Sequence, residues 1–251
     1  MSYTPISDPI LNIQRGLVPG QRIVSVFGER DNSCVDSAGE DLWKGNAVTI
    51  PDPSPSGEQL TVVSNNVADT SAGIGVQTVD IHYLDSSGVE QTEIVTLNGT
   101  TPVNTTATDI SFVNFFHTET KGTNNVAKGN IKLYRTGDTT RVYRKIKAGG
   151  NWDMTCIYKV PANKTLQLRS WHAESSSVDA VSVRIRSTDH LGTLKDGIYL
   201  FKGTAHLTNE ASGNLDLFVT VPATSKIKMT AWSDSPGNDI SGGFMGILID
   251  N

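Results

Sequence analysis

Two runs of alternating side chains around a short polar turn constrain this chain more than any other feature. They lie within residues 68–109. On the first run Val79, Ile81 and Tyr83 share a face, with Asp80 and His82 between them. On the second run Val95 and Leu97 share one face, and Thr92, Ile94 and Thr96 the other. A period of two is the signature of a strand, because successive side chains leave a pleated backbone on opposite sides. Between the runs, Asp85-Ser86-Ser87-Gly88 supplies short side chains that bond the local backbone, then a glycine free to take positive φ. The expectation is an antiparallel hairpin with one buried and one wet face.

The same logic extends along the chain. Strands are expected at 59–64, 75–84, 89–97, 110–117, 128–135 and 140–146, separated by turn signals such as Asn98-Gly99 and Gly137-Asp138. Regular short strands of this kind indicate a β-sandwich. A second sandwich follows the glycine-rich step at Ala148-Gly149-Gly150-Asn151. It contains an internal repeat: Val160-Pro161-Ala162 leads through Leu166 and Leu168 to Trp171, and Val221-Pro222-Ala223 leads through Ile227 and Met229 to Trp232. Proline belongs at a strand entrance, since it cannot donate to a ladder. Two copies are too few for a solenoid and suit equivalent strands in the two halves of one sandwich. Seven or eight strands are expected here, the number of a jelly roll. Residues 1–46 carry Pro5, Pro9 and Pro19 with scattered glycines and only short apolar pieces, and read as an extended arm. The fold expected is all-β: an extended N-terminal arm (1–46), a first β-sandwich (47–148) and a jelly-roll-like second β-sandwich (149–251).

Composition excludes several function classes. Hydrophobic residues make up 37% of the 251 and charged residues 19%, with Ser, Thr, Asn and Gly filling the difference, which suits half-wet strands rather than a helical bundle. The net charge is −5 and no basic block could neutralise a row of phosphates, so no nucleic-acid partner is expected. No apolar run approaches membrane-spanning length, so no membrane partner is expected either. Met1-Ser2-Tyr3-Thr4-Pro5 lacks the pattern of a signal peptide, and production in a cytosol is the expectation. Cys34 and Cys156 are too few for a disulfide scaffold and read as free thiols.

No catalytic residue, cofactor site or metal site emerges. His82, His117, His172, His190 and His206 are scattered without metal-ligand spacing. Gly73-Ile74-Gly75 lacks the third glycine, the helix and the acidic residue of a dinucleotide loop. No Gly-x-Ser-x-Gly elbow is present. Trp171 and Trp232 allow two readings: capping the sandwich core from opposite sheets, or stacking on sugars at a receptor-binding surface.

Residues 75–105, with shorter matches at Asn12–Val18, Val26–Gly28, Glu40–Trp43 and Tyr158–Leu166, resemble a family of virion structural proteins of tailed bacteriophages, especially marine ones. The resemblance implies a virion protein without enzymatic activity, assembled in the host cytoplasm, with other virion proteins as partners. Capsid decoration or cementing is the role expected first, with docking on the major capsid protein. A head-fibre or tail-associated host-attachment protein that binds glycan, or a tail adaptor, are the alternatives. Homo-oligomers, trimers among them, are common in such proteins. In this reading the arm residues Ile10, Leu11, Ile13, Leu17 and Val18 dock on the partner.

Overall fold

The computed structural model describes residues 8–33, 39–45, 47–176, 179–191, 193–195, 197–208, 212–233, 235 and 237–251. Cys34 lies outside them. Cys156 is a buried free thiol whose pKa is pushed up by burial.

The chain opens differently from the extended arm expected. Asp8 caps a short helix α1 (Pro9–Gln14): its Oδ1 accepts from the amides of Ile10 and Leu11 at 2.9 and 3.2 Å, with proline at the first helical position. Ile13 turns inward and is buried. Residues 21–33 then form a long strand, β1 (Gln21–Ser33), followed by the short β2 (Glu40–Asp41). Val24, Val26, Gly28 and Arg30 alternate inward along β1. A Cβ at Gly28 would lie 2.4 Å from the backbone of both Leu42 and Cys156, so only glycine lets these segments approach.

Next come β3 (Leu60–Ser64), β4 (Val76–Leu84), β5 (Glu90–Thr96), β6 (Val103–Asn104), β7 (Phe112–Lys121), β8 (Ile131–Arg135) and β9 (Asp138–Ile146). They make two antiparallel sheets, β6-β3-β8-β9 and β5-β4-β7. The apolar faces of both meet in a core that includes Leu60, Val62, Val79, Ile81, Val95, Val113, Phe116, Ile131 and Leu133. The hairpin read from sequence is β4-β5. Asp85 Oδ1 accepts from the amides of Ser87 and Val89 at 2.8 and 3.0 Å, and Gly88 has φ +77°. Nearby, the fully buried Asp69 accepts from the amides of Val76, Lys128 and Gly129 and from the Ser64 hydroxyl, satisfying backbone groups that no ladder reaches.

The remaining strands are β10 (Ile157–Lys159), β11 (Lys164–Ser175), β12 (Val181–Ser187), β13 (Asp189–His190), β14 (Thr193–Leu194), β15 (Leu200–Leu207), β16 (Ser212–Val221), β17 (Lys226–Ser233) and β18 (Asn238–Asp250). They do not close on themselves. β1 crosses from the start of the chain to pair with β18 from Gln21↔Ile249 to Ser33↔Asn238. One sheet is then β1-β18-β11-β16 and the other β10-β17-β12-β15, with β2 added to β17 beyond β10. Two facing four-stranded sheets in this order are an eight-stranded jelly roll. Its first strand is β1 and its second is β10, and residues 60–146 lie between them in the chain.

The repeated Val-Pro-Ala turns sit side by side. Asn163 and Thr224, the residues after each alanine, both take left-handed φ, +61° and +65°. The Thr224 amide donates to Val160 O and the Val160 amide to Ser225 O, each at 2.9 Å. The repeat therefore enters one strand of each sheet, β11 and β17, from a shared corner.

A few buried ions pin the chain where it leaves and re-enters the jelly roll. Asp41, with its side chain 1% exposed, takes the Lys228 ammonium at 2.7 Å, the Thr230 hydroxyl at 2.9 Å and the Ile50 amide at 3.0 Å. Arg30 holds Glu40 at 2.8 Å and donates to the carbonyls of Gly45 and Ala47. A small cluster of Trp43, Ile50, Leu84, Phe112 and Ile157 fills the space beside them.

Two outcomes follow from these charges. Asp41→Ala leaves Lys228 buried without its carboxylate, which costs roughly 3–5 kcal/mol in urea unfolding, and pairing it with Lys228→Met recovers much of that loss. Asp31, on β1, accepts from Lys44 and from Lys147 at the end of the inserted strands. Burial works to raise its pKa, but the two ammonium groups prevail and hold it at about 2, below the ordinary 3.8. A depressed carboxylate stabilises the fold above its unfolded pKa. The urea midpoint should therefore fall as pH drops from about 4 towards 2. Asp31→Asn should flatten that part of the profile.

Candidate functional site

The two repeat tryptophans occupy opposite environments. In β17, Ile227, Met229 and Ala231 point into the core, so Trp232 points out. In β11 the register slips between Leu168 and Ser170 against both neighbours, leaving Arg169 as an extra residue opposite β18. This β-bulge resets the alternation, and Trp171 turns inward at 3% exposure. Its ring packs on Gly203, where a Cβ would meet it at 3.1 Å. Trp171 is thus a core residue and has no face to offer a sugar.

Trp232 belongs to a ladder of cations and rings across the outer face of β15, β12 and β17. The Arg184 guanidinium stands 4.3 Å from the Trp232 ring and 4.7 Å from Phe201. Arg186 lies 5.3 Å from Trp232 and 5.6 Å from Tyr199, and the Lys228 ammonium 4.3 Å from Tyr199. Such contacts contribute about 0.5–1 kcal/mol each at exposed sites. Asp41 anchors the inner end of the ladder through Lys228 and Arg186.

Both edge strands at one end of the sheet order display apolar side chains to solvent. β15 and β16 are the edge strands of the two sheets and come together at that end. Leu191, Leu194, Ile198, Phe201, Leu215 and Phe218 are all exposed there or on the turn leading to it, Leu191 by 90% and Phe218 by 70%. The Arg169 guanidinium covers one face of Phe218 at 4.8 Å. Edge strands with exposed large apolar groups are pairing surfaces unless something covers them.

The arm residues expected to dock differ in exposure. Ile13 is buried on the protein itself, Ile10, Leu11 and Val18 are half-buried, and only Leu17 is exposed.

A third locus was not foreseen, because its residues are distant in sequence. Asp80 and His82 share the outward face of β4, and Asp80 lies opposite His117 in the β4-β7 pairing. His82 Nε2 is 2.9 Å and His117 Nε2 3.9 Å from Asp80 Oδ2. The rings of His117 and Trp152 stack at 4.9 Å, 10° from parallel, and Phe115 meets His82 edge-on at 6.1 Å. Asp80, His82 and His117 are the residues here that could hold a metal ion.

No family model and no curated protein matches the chain. Among solved structures it is similar to the infectious bursal disease virus Gt strain (11% identity, 97% of this chain and 78% of that chain, TM-score 0.27). It is also similar to the infectious bursal disease virus T13 particle (12%, 92% and 70%, 0.29). A third likeness is to the empty top component of cowpea mosaic virus (8%, 78% and 82%, 0.22). Superpositions this loose carry no assignment.

The tryptophan environments predict unequal costs. Trp171→Ala should lower stability by roughly 3–5 kcal/mol through the cavity left in the core. Trp232→Ala should cost about 1–2 kcal/mol, through lost stacking on two arginines. Chemical denaturation of both variants checks the contrast.

Proposed function

We propose that this protein is a non-enzymatic structural component of a tailed-phage virion, a jelly roll carrying an inserted β-sandwich, which decorates the capsid by docking on the major capsid protein. The observation that carries this reading is the exposure of large apolar side chains on the edge strands β15 and β16 (Phe201, Leu215, Phe218) and on the segment leading to β15 (Leu191, Leu194, Ile198). A protein that works by adhesion needs such a surface, and one that works alone in water is burdened by it. The tailed-phage resemblance of residues 75–105 and the jelly-roll order, an architecture recurrent in capsids, point the same way. Many symmetric copies on a shell make individually weak contacts collectively strong. Self-association, with a trimer as the state to test, belongs to the same reading. Leu17 and Val18 remain candidate docking residues, and Ile10 and Leu11 lie beside them on the first helix.

A second reading, host attachment from a head fibre or the tail, is favoured by the ladder at Trp232 and Phe201, where an exposed ring beside arginines suits a glycan. A tail adaptor is the third.

Copy number separates these readings. A quantitative gel of purified particles should show very many copies for decoration and few for a fibre or adaptor. The double substitution Leu215→Asp, Phe218→Asp should leave the circular-dichroism spectrum unchanged and reduce particle association more than about tenfold. Incorporation at wild-type level would overturn the assignment of this surface. Leu17→Asp with Val18→Asp tests the N-terminal contact without removing the buried Ile13.

A further inference from the structure

We infer that Asp80, His82 and His117 form a binding site for a divalent first-row transition metal, zinc foremost. Three potential ligands converge from two neighbouring strands: Asp80 Oδ2, His82 Nε2 and His117 Nε2, all within 4.8 Å of one another. Zinc bonds to nitrogen and oxygen are about 2.0–2.1 Å, so tetrahedral ligands sit about 3.3 Å apart. The two distances to Asp80, 2.9 and 3.9 Å, bracket that value, and small side-chain rotations equalise them. Two imidazoles and one carboxylate suit zinc and its neighbours, and are poor ligands for calcium or magnesium, which take oxygen.

Three features around the cluster belong to a metal site rather than to a chance meeting of polar groups. His117 Nδ1 lies 3.2 Å from the Thr118 carbonyl. A carbonyl only accepts, so Nδ1 carries the hydrogen and Nε2 presents its lone pair towards Asp80 and His82. The Trp152 ring, stacked on His117, restrains the orientation of that imidazole. Asp80 Oδ1 is buried with no hydrogen-bond partner among the described residues, a carboxylate oxygen that a cation would compensate. His82, 39% exposed at the side chain, keeps the site open to solvent. An ion can enter, and its outer position is left for water or for a ligand from another molecule. Without metal, His82 Nε2 donates its hydrogen to Asp80 Oδ2. On binding, the neutral imidazole carries its hydrogen on Nδ1 instead, and the freed Nε2 lone pair takes the ion in the place of that hydrogen.

Calorimetric titration of the metal-stripped full chain with zinc chloride tests this. The expected result is one saturable site per chain, weakened at least tenfold by His82→Ala, by His117→Ala and by Asp80→Asn, and unchanged by His172→Ala. Cobalt(II) should give the visible absorption of a tetrahedral nitrogen–oxygen site in the wild type and lose it in the same three variants. Circular dichroism verifies that each variant is folded. His82 lies on a wet face, so His82→Ala carries the test if His117→Ala disturbs the Trp152 stack. No saturable zinc binding by the wild type, or binding undiminished in folded His82→Ala and Asp80→Asn, overturns the site. Neither result bears on the virion reading, which rests on a different surface.

Discussion

The pairing of β1 with β18 is the contact on which the rest of the architecture depends. It makes the beginning and the end of the chain neighbours in one sheet. With those two strands joined, residues 60–146 must leave the jelly roll and return to it at one end. Between the two apolar cores lies only a small apolar cluster of its own. Directional polar contacts therefore set the geometry there. Asp41 faces Lys228, Arg30 faces Glu40, and Arg144 faces Asp153 at 3.3 Å with both side chains almost fully buried. At Asp153 burial pushes the carboxyl up to about 7 against the pull of Arg144, a measure of how completely this junction is withdrawn from water.

Much of this was legible in the sequence, for local reasons. The strands of the first sandwich lie within a few residues of where alternation places them, because one face of each is apolar and the turns are marked by glycine and aspartate. The Val-Pro-Ala repeat marks two true equivalents. β1 was hidden because Gly28 and Arg30 look like irregular chain. Their inward positions make sense only beside Cys156, Glu40 and Ala47, which alternation along β1 does not report. Trp171 and Trp232 are matched in sequence and opposed in space, because a single extra residue, Arg169, reverses which side the strand presents. The Asp80–His82–His117 cluster depends on cross-strand register between β4 and β7. The one local signal was two polar, potentially ligating residues at i and i+2 on a wet strand face.

The surfaces divide the labour between the parts. The jelly roll carries the exposed apolar edge and the arginine–aromatic ladder, both built on β12, β15, β16 and β17. The inserted strands carry the histidine cluster and a face of threonines and acids. The proposed adhesive surface and the proposed ion site therefore lie on separate sheets, and substitutions in one need not disturb the other.

The position of β1 also has a consequence for how the molecule comes into being. Gln21 emerges from the ribosome well over two hundred residues before its partner Ile249, as their numbers show. The inserted strands have all their strand-to-strand ladders within 60–146 and can pair while synthesis continues. The jelly roll cannot complete its first sheet until β18 has been made, and closing so long a loop is slow. During that interval the edges of β1 and β11 that pair with β18 stay uncovered together. The chain is then most vulnerable to pairing with its neighbours on the polysome, where crowded copies of one protein resemble the beginnings of an assembly.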